Sequence, residues 1–149
     1  MASRNAQALG KLAEWGQRFE RVASRGHKSA LTKDIGKATL DFIEEGFRRE
    51  STPYGQKWRP KKIPNGEQIL VERDILRRRF RVIAGVGKFS ITNPQPYTNT
   101  HQYGDDSRNI PRRQMWPSPN RLPVKWARKY TSIFQRRTFS ALLGKRFKG

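Results

Sequence analysis

No acidic residue follows Asp106, although residues 107–149 carry 12 of the chain's 32 Lys and Arg side chains. A fold that includes this stretch must place it against carboxylates from elsewhere in the chain or leave it facing a partner. The 149-residue chain has a formal net charge of +20, which repels itself in an isolated monomer. We therefore expect an acidic partner: nucleic acid first, then a membrane surface or an acidic protein face.

The composition excludes several classes of protein. Cysteine is absent, which excludes disulfides, thiolate zinc sites and thiol nucleophiles. We expect neither a membrane span nor a signal peptide, because no stretch approaches roughly 20 continuous apolar residues and the N-terminus lacks an apolar segment. Only 34% of the residues are hydrophobic, yet 4 Trp and 8 Phe are too many for a typical disordered chain. The sequence predicts one domain with a modest core that neighbouring subunits complete.

Two amphipathic helices are predicted in the N-terminal third. From Ala6 to Arg25, apolar side chains recur on one side of a helix, at Leu9, Leu12, Trp15, Phe19 and Val22. The second helix is predicted from Thr32, as its N-cap, to Arg49, with an inward face of Ile35, Ala38, Phe42 and Ile43. Ser51, Thr52 and Pro53 then end it.

A β-hairpin and a long loop are predicted next. Phe80, Val82 and Ala84 alternate with Arg79, Arg81 and Ile83, and residues 88–92 alternate again after Gly85 and Gly87. The segment from Pro94 to Pro123 contains six prolines and predicts a long ordered or semi-ordered loop. Loops of this length in compact domains are usually functional or become ordered on binding.

The last predicted helix has Pro123 at its first position. One face is apolar, with Trp126, Ala127, Tyr130, Ile133 and Phe134. The opposite face is basic and is a candidate DNA-facing or partner-facing surface, with an ordinary solvated face as the alternative; it consists of Lys125, Arg128, Lys129 and Arg136. Beyond Arg137, three apolar residues fall on the basic side. Either the helix ends there or a neighbouring subunit covers these candidate subunit contacts, Phe139, Leu142 and Leu143.

No catalytic, cofactor or metal site is predicted. Gly85-Val86-Gly87 lacks the third glycine of a dinucleotide loop, and Gly87-Lys88 and Gly144-Lys145 lack the rest of a P-loop. His101, Asp105 and Asp106 are residue types that bind divalent metals, but a solvated turn after Gly104 explains them more simply. His27 is expected in the linker between the first two helices. The sequence therefore indicates a protein that is not an enzyme.

Four short segments stand in a recognisable order. The first has the spacing P-x-G-x-x-W-x-P, with Pro53, Gly55, Trp58 and Pro60. Ile69-Leu70 and Leu76-Arg77 follow before the hairpin, and Pro96 to Gly104 contains Tyr97, His101 and Gly104. The fourth segment is Ile110-Pro111-Arg112-Arg113, which resembles I-P-A-R except that Arg112 replaces Ala. Over roughly residues 32–117, these segments together resemble the phage virion morphogenesis family, which includes the Mu-like tail completion proteins.

The combined expectation for the fold is α+β: two N-terminal helices, a small antiparallel β-sheet with a long Pro-rich loop, and a basic C-terminal helix. Residues 1–117 are expected to form the family-type domain, and residues 118–149 a basic helical arm of the same domain. The motif residues are interpreted as architectural, because Pro53 and Gly55 permit a turn and Trp58 can cover the helices. Gly104 is expected to have a positive φ.

The resemblance implies a structural subunit of the virion that acts in tail completion and head-tail joining. Such a subunit is expected in a homo-oligomeric ring at the neck or tail, in contact with connector and tail terminator proteins and with packaged DNA. It would be found in the virion, and in the host cytoplasm during assembly. The charge alone also suits a free-standing nucleic-acid-binding protein without sequence specificity. A divalent-metal nuclease that uses His101 and Asp106 is a third alternative.

Overall fold

The computed structural model describes residues 14, 16–18, 20–62, 66, 69–70 and 74–144. Its elements are the helices α1 (Arg25–Arg49) and α2 (Ile75–Arg78), the strands β1 (Arg81–Ala84) and β2 (Phe89–Thr92), and the helices α3 (Thr98–Tyr103) and α4 (Val124–Leu143). Residues 16–18 and 20–23 are also helical, ahead of a bend at Ser24. The predicted α+β class is confirmed.

Helix α1 begins earlier than the sequence predicted. Ser24 is its N-cap, and the Ser24 hydroxyl accepts the backbone N–H of His27 at 3.1 Å. Thr32 lies inside the helix, where its hydroxyl donates to the carbonyl of Gly85 at 2.6 Å. The prediction of Thr32 as the N-cap is therefore wrong, as is the prediction of His27 as a linker residue, because Ser24 supplies the capping oxygen first. The predicted end at Arg49 is confirmed.

The first predicted helix falls largely outside the described residues. Four of its five inward apolar positions are outside the described residues, namely Leu9, Leu12, Trp15 and Phe19. The fifth position, Val22, is half-buried in helical backbone.

The predicted hairpin is confirmed. Strands β1 and β2 pair antiparallel, with Arg81 opposite Thr92 and Ala84 opposite Phe89. The glycines that superficially suggested a nucleotide loop form the hairpin turn, in which the N–H of Gly85 donates to the carbonyl of Lys88 at 2.8 Å. The hairpin packs closely on α1, since a Cβ at Gly36 would lie 2.5 Å from the Cγ1 of Val82.

The segment from Pro94 to Pro123 is more structured than predicted. It contains α3, followed by a tight turn in which the backbones of Asp105 and Ile110 exchange two hydrogen bonds of 2.9 and 2.8 Å. The prediction of one long loop is therefore wrong for residues 98–103, because contacts distant in sequence stabilise a helix of only six residues.

The core is centred on Phe47, which is fully buried near the end of α1. Its ring meets the Trp58 ring edge-on at 5.4 Å and the Phe80 ring at 6.1 Å. The other buried members of this cluster are Ile43, Ile69, Leu76, Met115 and Trp126. Residues from α1, both flanks of the hairpin and α4 therefore share one core.

Helix α4 packs along α1 through one narrow stripe. Phe42 and Trp126 stack with ring centroids 4.9 Å apart, and the hydroxyls of Thr39 and Tyr130 are 2.5 Å apart. Pro123 is the N-cap of α4 rather than its first residue, and the predicted inward position of Phe134 is wrong because Phe134 is 50% exposed. Helix α4 contacts α1 along one side, so a residue of α4 that lies outside this contact stripe, such as Phe134, stays in solvent.

Candidate assembly surfaces

The first and fourth sequence motifs meet in the structure. The indole N–H of Trp58 donates to the carbonyl of Gln114 at 3.0 Å, and Trp58 is buried against Phe47. Nearby, the Nε of Arg113 donates to the carbonyl of Arg59 at 3.2 Å and its Nη2 donates to that of Pro60 at 3.4 Å. Two segments more than fifty residues apart in sequence therefore form one unit.

Gln102 joins the third motif to the fourth, and the sequence interpretation overlooked it. It is only 1% exposed. Its Oε1 accepts the N–H groups of Met115 at 2.7 Å and Trp116 at 3.2 Å, and its Nε2 donates to the carbonyl of Trp116 at 2.9 Å. The sequence signal that could have identified it was its position beside His101 in the third motif. In the structure, its buried amide supplies the hydrogen bonds that an adjacent strand would otherwise provide.

Gly104 ends α3 and has the predicted positive φ, at 80°. A Cβ at this position would lie 3.0 Å from the backbone N of Arg112, so close approach as well as conformation requires glycine. Gly55 has a φ of 88° in the turn that follows α1, but no atom lies within 4 Å of a Cβ placed there. Both glycines support backbone turns.

The remaining motif residues occupy the surface of the same unit. Pro53 is half-buried in the turn, and Ile110 and Pro111 are half-buried after the tight turn. Tyr97 is exposed and its ring lies edge-on to that of His101 at 6.0 Å. The exposed Arg112 donates from its Nε to the carbonyl of Gln102 at 3.2 Å.

Asp105 belongs to a hydrogen-bonded turn. Its carboxylate accepts the Ser107 hydroxyl and the Arg108 Nε, each at 2.6 Å. These hydrogen bonds, with that of Ser107 the strongest influence, lower the pKa of Asp105 to about 2. The part of the chain that the structure describes contains no group of three His, Asp or Glu residues arranged to hold a metal ion.

The predicted basic face of α4 is exposed but not uniformly cationic. Lys125 donates from its Nζ to both carboxylate oxygens of Glu45 on α1 at 2.6 Å, and this hydrogen bond is the main cause of a lowered Glu45 pKa. Arg128, Lys129 and Arg136 are all exposed. Arg48 on α1 joins Arg128 and Lys129 around an open groove of about 540 Å³, which also contains Asp41 and Glu45. The cationic surface therefore spans two helices.

The C-terminal half of α4 carries exposed apolar side chains. Phe139 is 62% exposed and Leu143 is 56% exposed, while Leu142 is half-buried. The helix continues without interruption to Leu143, so the sequence alternative in which it breaks near Arg137 is wrong. We define Phe139 and Leu143, which are four residues apart and therefore share one side of the helix, as the apolar end of α4.

A broad groove opens between the hairpin and α4. Its volume is about 780 Å³, and its lining includes Phe89, Ile91, Leu122, Trp126 and Tyr130. Among the described residues that line it, none is an Asp, Glu, Lys, Arg or His. On a chain with 30% charged residues, this uncharged groove is suited to an apolar segment.

Comparison with known proteins gives one match, which covers most of the chain. Residues 8–133 match the phage virion morphogenesis family, a span that extends beyond the motif segments at both ends and includes the first half of α4. No curated protein and no solved structure matches the chain. Among the described helices, none has the length and apolar character to cross a membrane.

Proposed function

Because the chain belongs to the phage virion morphogenesis family, and thus has a role in building the phage particle, we propose that it is a structural subunit of tail completion and head-tail joining. In this proposal several copies form a ring around the DNA channel at the neck or tail end. The subunit contacts connector and tail terminator proteins and acts without catalysis. The match over residues 8–133 is the observation that carries the proposal.

The apolar end of α4 and the uncharged groove support ring formation. Exposed apolar side chains that cluster on one element mark an interaction site more often than scattered ones do. A chain that carries both exposed apolar side chains and an uncharged groove can join head to tail with identical copies. Such a contact closes into a ring when its rotation allows.

The charge distribution supports a negatively charged neighbour. Arg48, Arg128 and Lys129 lie together on the outer surface of α1 and α4, and a ring repeats this cluster around its circumference. Packaged DNA and the acidic surface of an adjacent ring both provide the complementary charge.

Electron microscopy of particles made with this gene disrupted tests the proposal directly. We expect full heads beside detached or malformed tails, and normal particles when a plasmid supplies the gene. A rescue plasmid that encodes Phe139→Ser with Leu143→Ser is expected to fail, whereas Val124→Ser, at the other end of α4, is expected to rescue. Normal infectious virions from the disrupted phage would contradict the structural role.

Solution measurements separate ring formation from DNA binding. Self-association of a chain with a net charge of +20 is expected to strengthen as salt screens its repulsion, whereas binding to duplex DNA weakens with salt. Sedimentation velocity over a salt series is therefore expected to show larger species at higher salt. Phe139→Ser with Leu143→Ser is expected to abolish them while Val124→Ser preserves them.

A free-standing nucleic-acid-binding protein is the second candidate, favoured by the cluster of Arg48, Arg128 and Lys129. It requires the isolated chain to bind duplex DNA with a steep salt dependence. Arg128→Gln with Lys129→Gln would then reduce the slope of log affinity against log salt by about two. Lys33→Gln with Lys37→Gln, on an exposed part of α1, is the matched control. Weak binding of duplex DNA by the isolated chain would favour the proposal that it is a ring subunit.

A further inference from the structure

Arg113 is a buried cation without a carboxylate partner among the described residues. It is 8% exposed, and its guanidinium donates to the carbonyls of Arg59 and Pro60 in two long hydrogen bonds. The partly buried Arg77 and Arg137, in contrast, each pair with an aspartate at 2.6 Å. A buried charge is stable in a protein when a counter-charge compensates its lost hydration. Among the described residues, Arg113 therefore has no carboxylate partner of the kind that Arg77 and Arg137 have.

Arg113 lies on the wall of an open cavity of about 600 Å³, which we name the Arg113 pocket. Lys61 and His101 also line it, and its apolar wall includes Ile69, Ile75 and Leu76. No Asp or Glu is present among the described residues of the lining. The cavity thus combines a cationic end with an apolar wall.

His101 adds no negative charge to this cavity. Its Nδ1 is enclosed and has no hydrogen-bond partner in the described part of the chain. Burial, and then the charge of Arg113, lower the pKa of His101. An imidazole carries no negative charge in either protonation state, so no described residue of the lining compensates the positive charge of Arg113.

We infer that the Arg113 pocket receives the carboxylate of a Glu or Asp from a partner protein, together with an adjacent apolar side chain. A guanidinium binds a carboxylate through two parallel hydrogen bonds, and the apolar wall accommodates the neighbouring side chain. Duplex DNA fits less well, because its phosphates lie on a polar backbone without apolar groups that would contact Ile75 and Leu76. This inference does not depend on ring formation.

A small-molecule titration tests the pocket in the full-length protein. Isovalerate combines a carboxylate with a branched apolar tail, and isovaleramide is its uncharged counterpart. The chain has only two histidines, so proton NMR gives two imidazole Hε1 signals, one from each ring, which His27→Ala assigns. At constant neutral pH and ionic strength, isovalerate is expected to shift the His101 signal saturably and to leave the His27 signal unchanged. Isovaleramide is expected to shift neither.

Variants locate the site of binding. Arg113→Gln is expected to weaken isovalerate binding by at least about tenfold, because the cationic partner is lost. Arg112→Gln, at the exposed neighbouring position, is expected to bind like the wild type. If Arg113→Gln does not fold, the comparison of isovalerate with isovaleramide on the wild type decides the question.

Three results would overturn the inference. Equal binding of isovaleramide and isovalerate would show that charge does not contribute. Inorganic phosphate that binds as tightly as isovalerate would show that the apolar wall does not contribute. Glu67→Gln with Glu72→Gln changes two acidic residues outside the described part of the chain, and a gain of about tenfold in affinity would show that the chain's own carboxylates compete for the pocket.

Discussion

The indole N–H of Trp58 donates to the backbone carbonyl of Gln114 across 56 positions of sequence, at a distance of 3.0 Å. This hydrogen bond is buried, and it connects the turn after α1 to the strand-like segment that follows α3. Both partners lie in the family-type motif region. The motif spacing therefore encodes a tertiary connection.

Replacement of Trp58 by Phe is expected to destabilise the protein by about 2 kcal/mol. Phe retains an aromatic contact with Phe47 but leaves the carbonyl of Gln114 buried without a donor, and it leaves unfilled volume. Urea unfolding followed by circular dichroism measures the change. Tyr103→Phe, at an exposed aromatic residue, is the control and is expected to change the free energy of unfolding by less than about 0.5 kcal/mol. An unchanged urea midpoint for Trp58→Phe would contradict this account.

Gln102→Met is expected to cost about 3 kcal/mol of stability. Met has a similar length, but it leaves the N–H groups of Met115 and Trp116 and the carbonyl of Trp116 without their partner. Gln56→Met, at an exposed position, is the matched control and is expected to be nearly neutral. Hydrogen exchange of the Met115 amide gives a local readout, with faster exchange expected in the Gln102 variant alone. Equal stability of the two variants would show that this amide does not secure the segment.

A comparison of Gly104→Ala with Gly55→Ala separates the cost of steric overlap from the cost of backbone strain. Both glycines have positive φ, so each alanine is expected to cost at least about 1 kcal/mol from conformation. Only the Cβ at position 104 also approaches the backbone, at 3.0 Å from the N of Arg112. We therefore expect Gly104→Ala to be destabilised by at least about 1 kcal/mol more than Gly55→Ala in thermal unfolding. Equal losses would mean that the segment around Arg112 moves without cost.

Gly36→Ala is expected to loosen the contact between the hairpin and α1. Alanine favours the helix by up to about 1 kcal/mol, but its Cβ would lie 2.5 Å from the Cγ1 of Val82, and the overlap is expected to cost more than that gain. Val82→Ala removes the overlapping methyl, so the double variant is expected to be more stable than the sum of the two single changes by about 1 kcal/mol. Gly26→Ala, with no atom within 4 Å, is expected to stabilise α1. Strict additivity in this double-mutant cycle would contradict the proposed contact.

The stability of the protein is expected to depend on Asp74 at acidic pH. Hydrogen bonds from Arg77, and then from Arg78, lower the pKa of Asp74 from 3.8 to about 2. Because the folded pKa is the lower one, the ionised carboxylate stabilises the fold at pH above about 4, and this contribution disappears as the pH falls towards 2. Asp74→Asn is expected to lose about 1 kcal/mol at neutral pH and to converge with the wild type near pH 2. Urea unfolding at a series of pH values measures this, with Asp106→Asn as the exposed control.

The elements predicted most accurately are those with strong local signals. The end of α1 at Arg49 and the hairpin follow from residue periodicity and from turn residues that act over a few positions. The prediction of Thr32 as a cap was wrong because Ser24 and Thr32 are both good capping residues. Only the packing of the hairpin, which brings the carbonyl of Gly85 to the Thr32 hydroxyl, distinguishes their roles.

For the candidate surfaces too, the sequence predicted the features that depend on nearby residues and missed those that depend on tertiary contacts. The sequence identified the basic face of α4 and most of its apolar face, because helical periodicity determines how residues are arranged around the helix, but it placed the exposed Phe134 on the inward side. It did not identify the ion pair of Lys125 with Glu45, which depends on the packing of α4 along α1.

By itself, the sequence determined the helical periodicities, the turn glycines, the motif spacing and the segregation of positive charge, because each depends on residues close together in the chain. The tertiary structure decided that Gln102 would pair with Met115 and Trp116, that α3 would form, and that the guanidinium of Arg113 would be buried. These outcomes depend on which distant segments meet, and burial changes the energetic role of a polar side chain without changing its identity.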